Sequence, residues 1–163
     1  LFLPFISWAD TLVNSLGKTM IGWQEIRKAQ LNANSIVQIW RRDFKQVAAE
    51  TAKYGYKSIL SPCNHTYLDH ANDYKQMEST LNWCEKGGID LAQAYEWVPS
   101  HFKNIYGVEA PVWTEMVHSD SEMDNRVWPR LLAVSEVAWT REKSRDFDSF
   151  LNRLLVHRKW LKG

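Results

Sequence analysis

Little in this chain points to a membrane, a metal or a polyanion. The apolar opening run, residues 1–8 (LFLPFISW), is too short to span a bilayer and has no basic segment ahead of it of the kind a signal peptide carries. It reads as the start of a buried helix. There are 2 cysteines and no CxxC or Cys/His metal spacing, so no metal or cofactor is expected. Cys63 and Cys84 read first as buried thiols, with a disulfide between them as the alternative. Charge of one sign is not in excess either: 20 Lys+Arg against 19 Asp+Glu leave a formal +1, which builds no broad field to recruit nucleic acid or an anionic membrane. Low-complexity segments and internal linkers are absent. The 163 residues are therefore read as one domain or part of one, short of the roughly 250 that a complete TIM barrel usually needs. Leu1 in place of an initiator Met is expected of a processed or cut product, and nothing assigns a compartment.

What is present is a repeated order of strand and helix. Residues 18–23 (KTMIGW), 35–40 (SIVQIW), 57–61 (KSILS) and 108–113 (VEAPVW) are short, rich in β-branched or apolar residues and bounded by turn signals, as buried strands are. Between them, residues 42–54 place Phe44, Val47, Ala48 and Thr51 at helical spacing, and Gly55 supplies a stop. Residues 125–140 predict a second helix with an apolar face of Val127, Leu131, Leu132, Val134 and Ala138, Pro129 being tolerable only in its first turn. A last helix is expected over 147–161. The alternation predicts a parallel sheet covered by helices. Residues 67–107 are too long for a plain connection and predict a helix near 74–86 and a functional loop.

The abundant residue is tryptophan, with 9 in the chain. Core filling is the bland explanation, but Trp23, Trp40 and Trp113 each close a predicted strand, and ligands of parallel α/β folds sit at the carboxyl ends of strands. The third strand runs on into Tyr67 and Asp69. Indole faces suit the apolar face of a pyranose and nearby carboxylates suit its hydroxyls. Asp69 lies two residues after Tyr67, and Glu115 two after Trp113, so in extended backbone each pair points the same way. Without the aromatics, both carboxylates would read as solvated or capping groups.

Gly22-Trp23-Gln24-Glu25, Val37-Gln38-Ile39-Trp40, Tyr67-Leu68-Asp69, Val112-Trp113-Thr114-Glu115, Arg126-Val127-Trp128-Pro129-Arg130 and Ser135-Glu136-Val137-Ala138-Trp139 together resemble, in order and spacing, the family 20 glycoside hydrolases, which are β-N-acetylhexosaminidases. The resemblance runs over essentially all of residues 1–163 and implies an α/β fold of the (β/α)8 TIM-barrel type. About the last four strand-helix units are expected here, the C-terminal half of the catalytic domain. In that family the 2-acetamido oxygen of the substrate attacks the anomeric carbon. The resemblance gives Tyr67 the catalytic role of donating to that oxygen, stacks Trp113 beneath the pyranose, walls the acetamido pocket with Trp23 and Trp40, and has Asp69 and Glu115 accept from O6 and O4. It implies exo-action on terminal N-acetylglucosamine or N-acetylgalactosamine.

The family's general-acid Glu and its neighbouring Asp lie in a His-x-Gly-Gly-Asp-Glu-like motif after the fourth barrel strand, and no such motif occurs in this sequence. The expectation is a segment inactive alone that needs an N-terminal half barrel or a second copy of itself. The alternative is a non-catalytic sugar-binding or scaffold half barrel. A third reading makes Asp69 and Glu115 the pair of an ordinary retaining glycosidase, which needs carboxyls about 5 Å apart. Val108 and Pro111 depart from the family pattern, and the loop over 70–95 matches none of it. Trp83 and Trp97 there belong either to the sugar site or to the pinning of the loop. Glu25, Glu109 and Glu136 read as structural carboxylates, Glu109 at a strand start, with Arg126 and Arg130 as their partners.

Overall fold

Four short parallel strands, hydrogen-bonded in the order in which they occur, make the sheet of this computed structural model, which describes residues 1–99 and 103–161. They are β1 (Ile21–Trp23), β2 (Ile36–Ile39), β3 (Lys57–Leu60) and β4 (Ile105–Val108). β1 pairs Gly22 with Val37 of β2, and β2 pairs Ile39 with Leu60 of β3. Strand order following chain order leaves no switch point of the kind that splits a doubly wound sheet. Contacts divide the chain into two units: Leu1–Thr66 with Pro99–Glu109, and Tyr67–Val98 with Ala110–Gly163. The sheet lies wholly in the first.

In the first unit the core is the sheet and the helix α2 (Phe44–Lys53), which packs on β2 and β3. Val37, Ile39 and Leu60 are buried in the strands, and Phe44, Val47, Ala48 and Thr51 make the buried face of α2, the four positions its periodicity predicts. Gly55, at φ +80°, follows that helix in the left-handed conformation that terminates many helices. The opening helix α1 (Phe2–Ser15) forms, but its apolar residues are not buried: Leu1, Phe2, Leu3, Phe5, Trp8 and Leu12 are exposed. The reason is Asp10, its one buried residue, whose carboxylate accepts from the backbone and side-chain nitrogens of Asn32 and from the Ser35 hydroxyl. A buried carboxylate needs those donors. The side of the helix that carries it faces inward.

β4 also departs from expectation, covering residues 105–108 rather than 108–113. Its register against β3 shifts between Ser58 and Ile59, and the ladder ends as Glu109 N donates to Leu60 O at 2.9 Å. Two residues on, Pro111 has no N–H for a ladder. Glu109 thus follows the carboxyl end of a strand instead of starting one.

The second unit is helical. It contains α3 (Leu91–Tyr95), α4 (Asp120–Val127), α5 (Arg130–Trp139) and α6 (Phe147–Leu161). The helix predicted over 125–140 is two helices, because Pro129 has no N–H to continue the first and stands ahead of α5 as its cap. Arg130, Ala133, Val134 and Val137 face inward in α5, so the buried stripe is turned from the predicted one and Ala138 is exposed. The predicted helix over 74–86 shrinks to a 3-10 turn, Tyr74–Ser79. Gly88, at φ +77°, brings its own Cα within a distance of the Ala71 carbonyl that leaves no room for a Cβ, and Ile89 N then donates to that carbonyl at 2.7 Å. α6 has the predicted span, with Phe147 and Phe150 against Tyr95. Neither cysteine is a free thiol, both being disulfide-bonded, which reverses the preference drawn from their number alone.

Candidate functional site

Two sets of predicted site residues are placed, one in each unit. In the first, Trp23 is the last residue of β1 and Trp40 follows the last residue of β2, both half-buried. The buried Gln24 side chain accepts from Trp40 N and Arg41 N through Oε1, which fixes the backbone as it leaves β2. Glu25 Oε1 accepts from the Trp40 indole N–H at 3.1 Å, which orients that ring. The carboxylate of Glu109 accepts from Gln38, whose amide also meets the Ser61 hydroxyl.

In the second unit, the Tyr67-Leu68-Asp69 segment is held by its backbone. Leu68 N donates to Pro111 O at 2.9 Å, joining it to the stretch that carries Trp113. Arg130 donates to Leu68 O at 2.6 Å and to Ile89 O at 3.0 Å, and Arg126 donates to Asp69 O at 2.9 Å and to Ser79 O and Met116 O. Both guanidiniums are buried and bond carbonyls, not Glu25, Glu109 or Glu136 as the sequence suggested. Their rigid forks satisfy carbonyls that no helix or strand pairs. Burial pulls the pKa of Arg130 down to about 10, with the charge of Asp69 opposing that fall and the like charge of Arg126 adding to it. Glu136 instead takes a bidentate pair from Arg153 and the Tyr95 hydroxyl.

This scaffold brings the Tyr67 and Trp113 rings together, with Asp69 two residues along the same segment as Tyr67. The Tyr67 ring is buried, 6.4 Å from Trp113 and 5.7 Å from Trp83, edge-on to the latter. Trp113 is 43% exposed and Trp83 49%, so two indoles keep open surface beside a buried phenol ring. Glu115 is exposed, two residues beyond Trp113. Asp69 is mostly buried; its Oδ1 has no hydrogen-bond partner and its Oδ2 lies 3.5 Å from His70 Nδ1. A buried carboxylate oxygen without a donor is costly, and such a group in a folded protein calls for an explanation. Trp83 joins the cluster, whereas Trp97 is buried with its carbonyl held by Arg145, a pin of the loop. Sequence reasoning missed His70: one histidine in an unpatterned loop carries no periodic signal. Among the described residues no group of three or more His, Cys, Asp or Glu is arranged to hold a metal.

The family model for the glycosyl hydrolase family 20 catalytic domain matches residues 1–142. A β-N-acetylhexosaminidase of Cellulomonas fimi is 36% identical over 163 residues, taking in 96% of this chain and 32% of that protein. A β-hexosaminidase of Vibrio furnissii is 32% identical, over 80% of this chain and 22% of its own length. Among solved structures, an exo-β-N-acetylglucosaminidase of Vibrio harveyi in complex with N-acetylglucosamine superposes with a TM-score of 0.84 at 28% identity, over 98% of this chain and 26% of that one. The chain spans about a third or less of the length of these relatives.

Proposed function

The chain belongs to glycosyl hydrolase family 20, and from that premise we propose that it supplies the sugar-binding side of a site that removes terminal non-reducing N-acetylhexosamine residues. The observation that carries this reading is the cluster in the second unit: an exposed Trp113 face, the Tyr67 ring beside it and a buried Asp69 oxygen awaiting a donor. Trp113 stacks beneath the pyranose, where aromatic contact suits the axial C–H face. Asp69 and Glu115 accept from O6 and O4, which selects a terminal residue because a further sugar at those hydroxyls would remove the donor.

The reaction proposed is substrate-assisted and retaining. The acetamido oxygen attacks the anomeric carbon as the glycosidic bond breaks, giving an oxazolinium, and water then opens that ring on the face the leaving group had occupied. Positive charge and the polarised acetamido group develop together, and the Tyr67 hydroxyl donates to the acetamido oxygen as they do. The leaving oxygen needs a proton, and this sequence has no Asp-Glu motif of the family to supply it. The acid is assigned to polypeptide outside these 163 residues. β1 and β4, at the two edges of the sheet with Ile21 and Tyr106 exposed, are where an N-terminal half barrel or a second copy would add strands. The missing motif favours a second reading for the segment by itself, sugar binding without hydrolysis.

The test is hydrolysis of an aryl N-acetyl-β-glucosaminide by the full-length polypeptide that carries this segment. Release of the aglycone with retention, followed by inhibition by a thiazoline mimic of the oxazolinium, is the expected result. Turnover that is insensitive to the thiazoline, or product of inverted configuration, contradicts the mechanism.

A further inference from the structure

Asp69 enters the site with its main chain fixed and its side chain not. Arg126 takes the Asp69 carbonyl at 2.9 Å, yet a carboxylate on a fixed backbone still rotates, and Oδ1 has no partner to stop it. The neighbour that restrains it is His70, whose side chain is fully buried. Cys84 N donates to His70 Nε2 at 3.2 Å. A ring nitrogen that accepts a hydrogen bond carries no proton, so a neutral imidazole held in this way has its proton on Nδ1. That Nδ1 lies 3.5 Å from Asp69 Oδ2 and has no hydrogen-bond acceptor of its own. The protonated Nδ1 therefore stands 3.5 Å from the carboxylate, an electrostatic contact and not a formed hydrogen bond. The ring itself is held, edge-on to Tyr67 at 6.3 Å and 5.5 Å from Trp83, so turning it away would break the Cys84 bond and disturb both contacts.

We propose that His70 is a positioning residue: it draws Oδ2 of Asp69 to itself and so presents Oδ1 as the acceptor for a sugar hydroxyl. The inference rests on the sugar-binding reading of Asp69 given above. The chain of dependence is Cys84 amide to His70 tautomer to Asp69 orientation, the same logic by which a second group orients a metal-ligating histidine. His70 touches no substrate. Its effect passes through Asp69 and disappears when that carboxylate is gone.

A double-mutant cycle reads this directly. Asparagine sets its amide N–H near the place of Nδ1, whereas glutamine reaches the place of Nε2 and leaves Asp69 without a donor. In the full-length polypeptide, binding of N-acetylglucosamine is measured by calorimetry for the parent, His70→Asn, His70→Gln, Asp69→Ala and the Asp69→Ala/His70→Gln pair, with a thermal melt of each. His70→Gln is expected to weaken binding about tenfold and His70→Asn less than about threefold, by analogy with the loss of an orienting group. In the Asp69→Ala background His70→Gln is expected to add less than about twofold. Equal penalties from His70→Gln in the two backgrounds, or parent-like binding by it, overturn the proposal. Unfolding of both His70 variants overturns it too, since the ring would then be holding the loop and not the carboxylate. Parent-like binding by Asp69→Ala removes the sugar-binding reading itself, whereas failure of the His70 arm alone leaves that reading standing.

Discussion

The two units are held together by different kinds of bond. In the unit of Leu1–Thr66 and Pro99–Glu109, neighbouring strands satisfy one another's backbone groups, and side chains such as Val37, Ile39 and Leu60 fill the space beneath. In the unit of Tyr67–Val98 and Ala110–Gly163, the segment that carries Tyr67 and Asp69 has no strand partner, and two buried arginines satisfy its carbonyls. The first arrangement repeats along the chain and spreads its stability over many small terms. The second concentrates it in a few side chains, which allows an irregular loop to be as fixed as a strand.

The largest way to break that contrast is to remove a clamp. Arg130→Met leaves the carbonyls of Leu68, Ile89 and Arg126 buried without donors and is expected to cost about 3 kcal/mol or more. Leu60→Ala, a core truncation in β3, is expected to cost a comparable amount, about 2 to 5 kcal/mol. Hydrogen exchange separates the two. Arg130→Met should speed exchange over 67–71 and 88–89 while the β2–β3 ladder stays protected, and Leu60→Ala should do the reverse. Equal loss of protection everywhere in both variants would show one cooperative unit in place of two.

Tyr67→Phe in the full-length polypeptide is expected to lower kcat by about 10²-fold, the scale of one preorganised donor at a developing charge, with a smaller change in KM. Turnover within about threefold of the parent would remove Tyr67 from the mechanism. Next in size, Trp113→Ala is expected to weaken binding of N-acetylglucosamine by about 1 to 3 kcal/mol while the fold survives. Its 43% exposure makes it a poor core residue, and a variant that unfolds would contradict the stacking role.

The smallest effect is at Glu136. Its carboxyl is held below the ordinary value of 4.5, first by the hydrogen bond from Arg153 and then by the Tyr95 hydroxyl, with burial opposing them. A depressed carboxyl stabilises the fold above its unfolded pKa, and that stability is lost as pH falls through the folded value. Arg153 is 58% exposed, so Arg153→Ala is expected to cost only about 0.5 kcal/mol. The difference in melting temperature between parent and variant should be present at pH 7 and vanish well below pH 4.5. A difference independent of pH would mean the arginine acts by packing over Phe150.

The same contrast sorts what was legible in the sequence. Helical spacing found α2, because Phe44 and Val47 announce its face, short apolar runs bounded by turn signals found three of the strands, and α6 has the expected span. Trp23 and Trp40 stand at strand ends as expected. The fourth strand was misplaced because the apolar run ending in Trp113 resembles a strand while Ile105 and Tyr106 carry the ladder. The clamps were illegible. Arg126 and Arg130 sit four apart on either side of a proline, and nothing in that spacing says that the carbonyls of Leu68, Asp69, Ser79 and Ile89, distant in the chain, lack donors. His70 was missed for the same reason, since its partners Asp69 and Cys84 define it only in space.

The proposed division of labour, in which this segment holds the sugar and polypeptide outside it protonates the leaving group, is tested most directly by reconstitution. Residues 1–163 are purified, their mass in solution is recorded, and they are assayed with an aryl N-acetyl-β-glucosaminide, alone and with a separately expressed N-terminal half of the catalytic domain. An associated species is expected, with turnover alone lower by at least about 10² to 10⁴ for want of the acid, and with turnover recovered when the second half is added. A monomer that hydrolyses the substrate at the full rate by itself would contradict it.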